Sequence, residues 1–324
     1  MPGGQERTLR RRIRSVESTK KITRAMELIS ASRIVKAQQK VNAARPYAEQ
    51  ITQVIGNLAA AGAGSGQPLL TPRENVSNVG VIVLSADRGL AGGYNSAVIR
   101  KGEQALKQAE AEGHGTQLFA VGRKSISYFR YRGRKLTAEH TGFTDSPAYE
   151  DAREIAKEVV SRFEAGELDR VELAYTEFVS VGIQRPKLVR FIPLEPEALA
   201  EDDEPKASGP TAEYEYEPAP DAILERLLPR YVESRLFAAL LESAASEHAA
   251  RQKAMKAATD NATELIKKLD RQMNRARQDA ITTEIIEIAS GAEALNQMDE
   301  DNDNVSSDYF TERDATPYDR QAAS

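Results

Sequence analysis

The run MKAATDNATELIKKLDRQMNRARQDA, residues 255–280, decides how this chain folds. Met255, Ala258, Ala262, Leu265, Leu269, Met273, Ala276 and Ala280 recur at steps of three and four. That spacing lines one face of a helix and, when sustained, forms the seam of a coiled coil. Ile285 and Ile288 prolong the stripe, and the helical pattern extends over residues 221–298. Roughly 70 residues at about 1.5 Å each reach about 105 Å, too long to lie inside one small domain. Pro229 is expected to bend the first turns.

The opposite end of the chain repeats the theme. Over residues 1–61 apolar or small residues fall at Leu9, Ile13, Val16, Ile22, Met26 and Ile29, then at Ala37, Val41, Ala44, Ala48, Ile51, Ile55 and Leu58. Pro46 predicts a kink near Arg45. A glycine-rich breaker, Ala61 to Gly66, ends this helix. Two long amphipathic helices at opposite ends of one chain are expected to pack against each other, antiparallel, as a coiled coil. Such a two-helix rod buries little, so a sheath of partner protein around it is expected.

The middle, residues 76–195, has a different pattern. Val79–Ser85 is a continuous apolar run of the kind found in a buried parallel strand. Helices at 95–112, 125–131 and 149–164 alternate with strands at 117–121, 136–140, 171–178 and 188–194, which predicts a Rossmann-like α/β domain. Residues 196–220 carry five prolines and read as an acidic linker.

Charge is strongly partitioned under a net −5. Residues 1–40 hold 11 Lys/Arg against 3 acids, or +8. Residues 195–221 hold 10 acids against Lys206, and residues 299–324 hold 8 against Arg313 and Arg320. The last block predicts a disordered acidic tail. No cysteine is present, which excludes disulfides and thiolate metal sites. No apolar run approaches the roughly 18 residues of a membrane span, and no apolar segment follows the basic start as in a signal peptide. A cytoplasmic protein whose membrane link runs through partners is expected.

Chemistry-bearing motifs are few. Asp87–Asn95 is a glycine-rich loop between a strand and a helix, where a phosphate could be cradled, but its spacing is not GxGxxG. A tight turn with Asn95 as a cap is the plainer reading. His114, His140 and His248 lack ligand spacing, so no metal, cofactor or catalytic residue is assigned. Basic helix faces could bind nucleic acid, yet few aromatics accompany them. A helical scaffold with a nucleotide-binding domain and a basic nucleic-acid binder therefore stay open as alternatives.

Several runs resemble the ATP synthase gamma subunit family. The C-terminal run from Ala276 to Ala292 (ARQDAITTEIIEIASGA) carries most of the resemblance. It is joined, in family order, by Lys20–Glu27, Ser85–Leu90, Arg230–Ser234 and Met255–Asn261, so that the resemblance spans the chain to about Leu295. It implies a non-catalytic rotor shaft within a ring of three alpha and three beta subunits, peripheral on the cytoplasmic face of the cell membrane. Proton flow through the membrane c-ring would turn the shaft. By position, the resemblance implies alpha and beta contacts for Arg277, Gln278, Thr282, Glu284, Arg251, Met26 and Arg24. It likewise implies that Tyr214 and Glu217 belong to the foot that meets the membrane ring and the epsilon subunit.

Overall fold

The computed structural model describes residues 3–60, 63, 64, 66–194 and 217–311. Helix α1 spans Gly3–Ala60 and helix α5 spans Pro220–Thr311. Between them lie β1 (Asn78–Leu84), α2 (Tyr94–Ala111), β2 (Gly115–Val121), α3 (Arg123–Tyr131), β3 (Ala138–His140), α4 (Tyr149–Glu164), β4 (Arg170–Phe178) and β5 (Gln184–Ile192). The sheet order is β3-β2-β1-β4-β5. The first four strands pair in parallel and β5 runs antiparallel on β4.

The chain divides into two compact units, Lys21–Thr259 and a unit formed by its two ends, Met1–Lys20 with Asp260–Ser324. In the first unit the central strand β1 is buried from Val79 to Leu84, as its unbroken apolar run requires. On one sheet face Val81 and Val83 pack with Val98 and Leu106 of α2 and Phe129 of α3. On the other face Ile82 and Phe119 pack with Ile155 and Phe163 of α4, Ile55 and Leu58 of α1, and Leu228 and Val232 of α5. Both long helices therefore root in the sheet core. They run antiparallel there: the Thr23 and Thr259 hydroxyls meet at 2.8 Å, and at the other end Asp221 accepts from the Gly64 amide at 3.0 Å.

The seam register departs from the sequence expectation. Ile22 and Ile29 are 59% and 54% exposed, and Met26 is half-buried. The inward positions of α1 are Thr23, Glu27, Ser30, Ile34 and Ala37, again at steps of four and three. On α5 Thr259 is buried where Ala258 was expected, and Ile266 is less exposed than Leu265. The reason is that buried polar residues share the seam, Thr23 hydrogen-bonded to Thr259 and Glu27 paired with Arg24, so the largest apolar residue nearby is a poor guide to the buried face. Ile285 and Ile288 are also outside, 61% and 69% exposed.

Pro46 and Pro229 both lie inside helices that continue past them. One further expectation changes. Helix α5 does not stop at Met298 but continues to Thr311, because no Gly or Pro interrupts it between Gly291 and Pro317. The rest of the acidic tail, 312–324, lies outside the described residues, as does the linker from 195 to 216.

Candidate partner-binding surfaces

From Ile281 to Met298 every residue of α5 is exposed. Six of them are large and apolar: Ile281, Ile285, Ile286, Ile288, Leu295 and Met298, at 49% to 70% exposure. A helix with apolar groups on its outside and nothing packed on them presents a surface built for another protein. Arg277, Gln278, Thr282 and Glu284 lie at the start of this segment and are exposed too. They add hydrogen-bond donors, acceptors and both charges to the apolar surface. The structure thus brings these four together on one helix within about two turns.

The other expected contacts differ in kind. Arg24 is exposed and donates to Glu27 at 2.9 Å. Glu217 is exposed, whereas Tyr214 lies outside the described residues. Arg251 is buried: its guanidinium pairs with Glu247 and donates to the Gly89 carbonyl at 3.3 and 3.4 Å. It ties α5 to the glycine-rich loop inside the same unit. Burial pushes the Glu247 carboxyl up to about 7, with Arg251 pulling the other way.

Around that pair sits a clamp that sequence reasoning missed. Arg33 of α1 pairs with Asp145, and the His248 ring of α5 meets the Asp145 carbonyl at 3.0 Å. Lys40 donates to Ser146 at 3.0 Å. The loop before α4 is therefore held by both long helices. Burial pushes the His248 imidazole down. The one sequence signal that points to it is the spacing of four between Glu247 and Arg251, which puts them on one helix face.

The glycine-rich loop is filled by its own side chains. The Asp87 carboxylate accepts from the Arg123 amide at 3.0 Å, the Gly142 amide at 2.8 Å and the Thr144 hydroxyl at 3.0 Å. It occupies the N-terminus of α3 with negative charge, the place a phosphate would need. Asn95 does not cap α2: its side chain accepts from the Ala86 amide and donates to the Arg88 carbonyl, closing the turn. Leu90 holds a left-handed φ of 62° with its side chain exposed. Among the described residues no group of three or more His, Cys, Asp or Glu side chains could hold a metal, and no helix is long and apolar enough to cross a membrane.

Comparison with known proteins places these surfaces in context. The family described as ATP synthase matches residues 5–295. The chain is 53% identical over 296 residues to the ATP synthase gamma chain of Frankia casuarinae, covering 90% of this chain and 98% of that one. It is 45% identical over 312 residues to that of Streptomyces coelicolor, covering 93% and 100%. Among solved structures the fold resembles a chain of the Euglena gracilis mitochondrial ATP synthase OSCP/F1/c-ring, with a TM-score of 0.60, 16% identity, and 92% of this chain and 96% of that one covered. It also resembles a chain of the Tetrahymena thermophila mitochondrial ATP synthase central stalk and c-ring, with a TM-score of 0.52 and 23% identity over 73% of this chain and 99% of that one.

Proposed function

The chain belongs to the ATP synthase gamma-chain family, and from that premise we propose that it is the central-stalk rotor subunit of an F-type ATP synthase. The observation that carries this reading is the α5 segment from Ile281 to Met298, exposed all round yet lined with large apolar side chains. Such a segment suits a ring of alpha and beta subunits that encloses it without locking to it. Proton-driven rotation of the membrane c-ring turns the shaft, and the shaft's asymmetry drives each beta site through binding, synthesis and release. The antiparallel α1 and α5, with their repeat of three and four, support a coiled-coil rod able to transmit torque. The α/β domain, with Glu217 beside it, serves as the foot toward the c-ring and epsilon. The subunit is non-catalytic and sits peripherally on the cytoplasmic face of the cell membrane.

Arg277, Gln278, Thr282 and Glu284 form the grip. Their exposed amide, hydroxyl and charged groups give contacts that can break and re-form as the shaft turns. Arg24 and Met26 meet the beta subunits from α1, where the basic N-terminal helix steers toward acidic surface. A phosphate site in the α/β domain is disfavoured by the placement of Asp87.

Co-expression with alpha and beta tests the reading. The chain is expected to co-purify with them, and a complex lacking it should lose coupled ATP turnover. Normal ATP hydrolysis by the complex without this chain would remove the rotor reading. Gln278→Leu is expected to reduce coupled turnover several-fold while nucleotide binding to beta stays intact, and unchanged turnover would remove Gln278 from the grip.

A further inference from the structure

The seam of α1 opens at one place. Ile34 and Ala37 before it and Ile51, Ile55 and Leu58 after it are buried, but Val41, Ala44 and Ala48 are only half-buried. Facing them is a cavity of about 560 Å³ between α1, α5 and strands β4 and β5. That volume falls in the range of small-molecule sites, roughly 300–1,000 Å³. The gap arises because alanines line both helices here, Ala44 and Ala48 on α1 with Ala238 and Ala239 on α5.

Its walls combine apolar and aromatic surface with two arginines, Arg45 and Arg235, and two acids, Glu49 and Glu242. Phe191 and Tyr175 form the sheet side. The Arg235 guanidinium is engaged with rings, 5.9 Å from Phe191 and 5.8 Å from Tyr231. Glu242 has a buried carboxylate oxygen, Oε2, with no hydrogen-bond partner. The nearby Lys187 ammonium does not supply it, because it is bound to Glu177 at 2.5 Å. The Phe178 amide reaches this carboxyl, and Oε2 is the oxygen left for a further donor, since a buried acceptor without one is costly. Burial, followed by the like charge of Glu177, pushes the Glu242 carboxyl up to about 7, against the amide of Phe178, Lys187 and Arg45. An added cation beside it would reverse that rise.

We propose that this cavity binds a small amphiphilic amine, its ring or alkyl body lying against Ala44, Ala48 and Phe191 and its ammonium donating to the Glu242 carboxylate. The site is independent of the rotor contacts, which are formed by other residues of α1 and α5.

Matched probes test it: 4-phenylbutylamine and 4-phenylbutyrate, titrated into the full-length chain by saturation-transfer NMR and calorimetry. The amine should bind saturably with a Kd on the order of 1 mM or tighter, and the acid at least tenfold more weakly. Glu242→Gln should weaken the amine at least tenfold, and Ala48→Leu, which fills the cavity, should abolish its binding. The amine-to-acid comparison needs no variant, so it decides even where a substitution impairs folding. Equal binding of the two probes, absence of saturation, or undiminished amine binding in Glu242→Gln would overturn the proposal. The same titration on the chain assembled with alpha and beta should retain binding. Loss on assembly would also overturn it, since a partner side chain would then be the occupant.

Discussion

Arg251 shows how one side chain can be assigned two roles that experiment separates. It is a buried member of an ion pair with Glu247 and holds the Gly89 carbonyl. Arg251→Ala leaves Glu247 buried without its partner, so thermal unfolding of the chain should show a loss of about 3–5 kcal/mol. A variant with undiminished stability but impaired turnover would assign Arg251 to a partner instead. Glu242 offers a pH test at the same scale. Its folded carboxyl, near 7, lies above the ordinary value of 4.5, so the folded state holds the proton more tightly than the unfolded chain does. The stabilisation is therefore fully present below about 4.5 and declines as pH rises through about 7. Between those limits the wild type should lose about 1–3 kcal/mol relative to Glu242→Gln. Parallel stability curves for the two proteins would contradict that assignment.

At the scale of elements, the seam register makes opposite forecasts for neighbouring isoleucines. Ile34 is buried at 3% exposure and Ile22 is exposed at 59%. Ile34→Ala should destabilise the chain by about 2–4 kcal/mol, whereas Ile22→Ala should change stability by less than about 0.5 kcal/mol. Equal effects in chemical denaturation would mean that α1 is rotated from the register described. Strands β1 and β4, by contrast, were legible in the sequence to within a residue, whereas β5, expected at 188–194, spans Gln184–Ile192. Val79–Ser85 was expected and β1 is Asn78–Leu84; Val171–Phe178 was expected and β4 is Arg170–Phe178. Burial on both faces leaves a strand no choice but a continuous apolar run, so composition and placement coincide. The seam of α1 was legible at Ile13, buried with Leu9 and Val16 half-buried, and again from Ala37 onward, but not between, because Thr23, Glu27 and Ser30 are inside and Ile22 and Ile29 outside. Thr23 meets Thr259 from the far end of the chain and Glu27 is paired with Arg24, so buried polar residues of this kind leave no mark in local hydropathy.

For the whole molecule, the acidic extension is the feature the rotor reading does not require. The family match ends at residue 295, yet α5 continues to Thr311. Truncation after Met298 should leave ATP hydrolysis by the assembled complex unchanged within about twofold, since the grip from Arg277 to Glu284 is retained. A sharp rise or fall in hydrolysis would assign the extension a regulatory part. The exposed face that carries the proposed function was partly visible beforehand: the run from Ala276 to Ala292 pointed to the grip, and Ile285 and Ile288 were read as seam. That all sides of the helix are exposed beyond Met273 and the few half-buried positions after it could be read only from the structure.

By itself the amino-acid sequence determined that two long helices flank an α/β layer, where the strands lie, and that no thiol chemistry is available. These follow from periodicity, apolar runs and composition, which act over a few neighbouring residues. Only the tertiary structure decided which helix face is the seam, that Asp87 fills the loop a phosphate would have occupied, that Asp145 is clamped by Arg33 and His248, and that a cavity opens beside Glu242. Each of these depends on groups far apart in the chain meeting in a low-dielectric interior, where an unmade hydrogen bond is costly and burial can move an acid to neutrality. Spacing along one chain carries no record of such meetings.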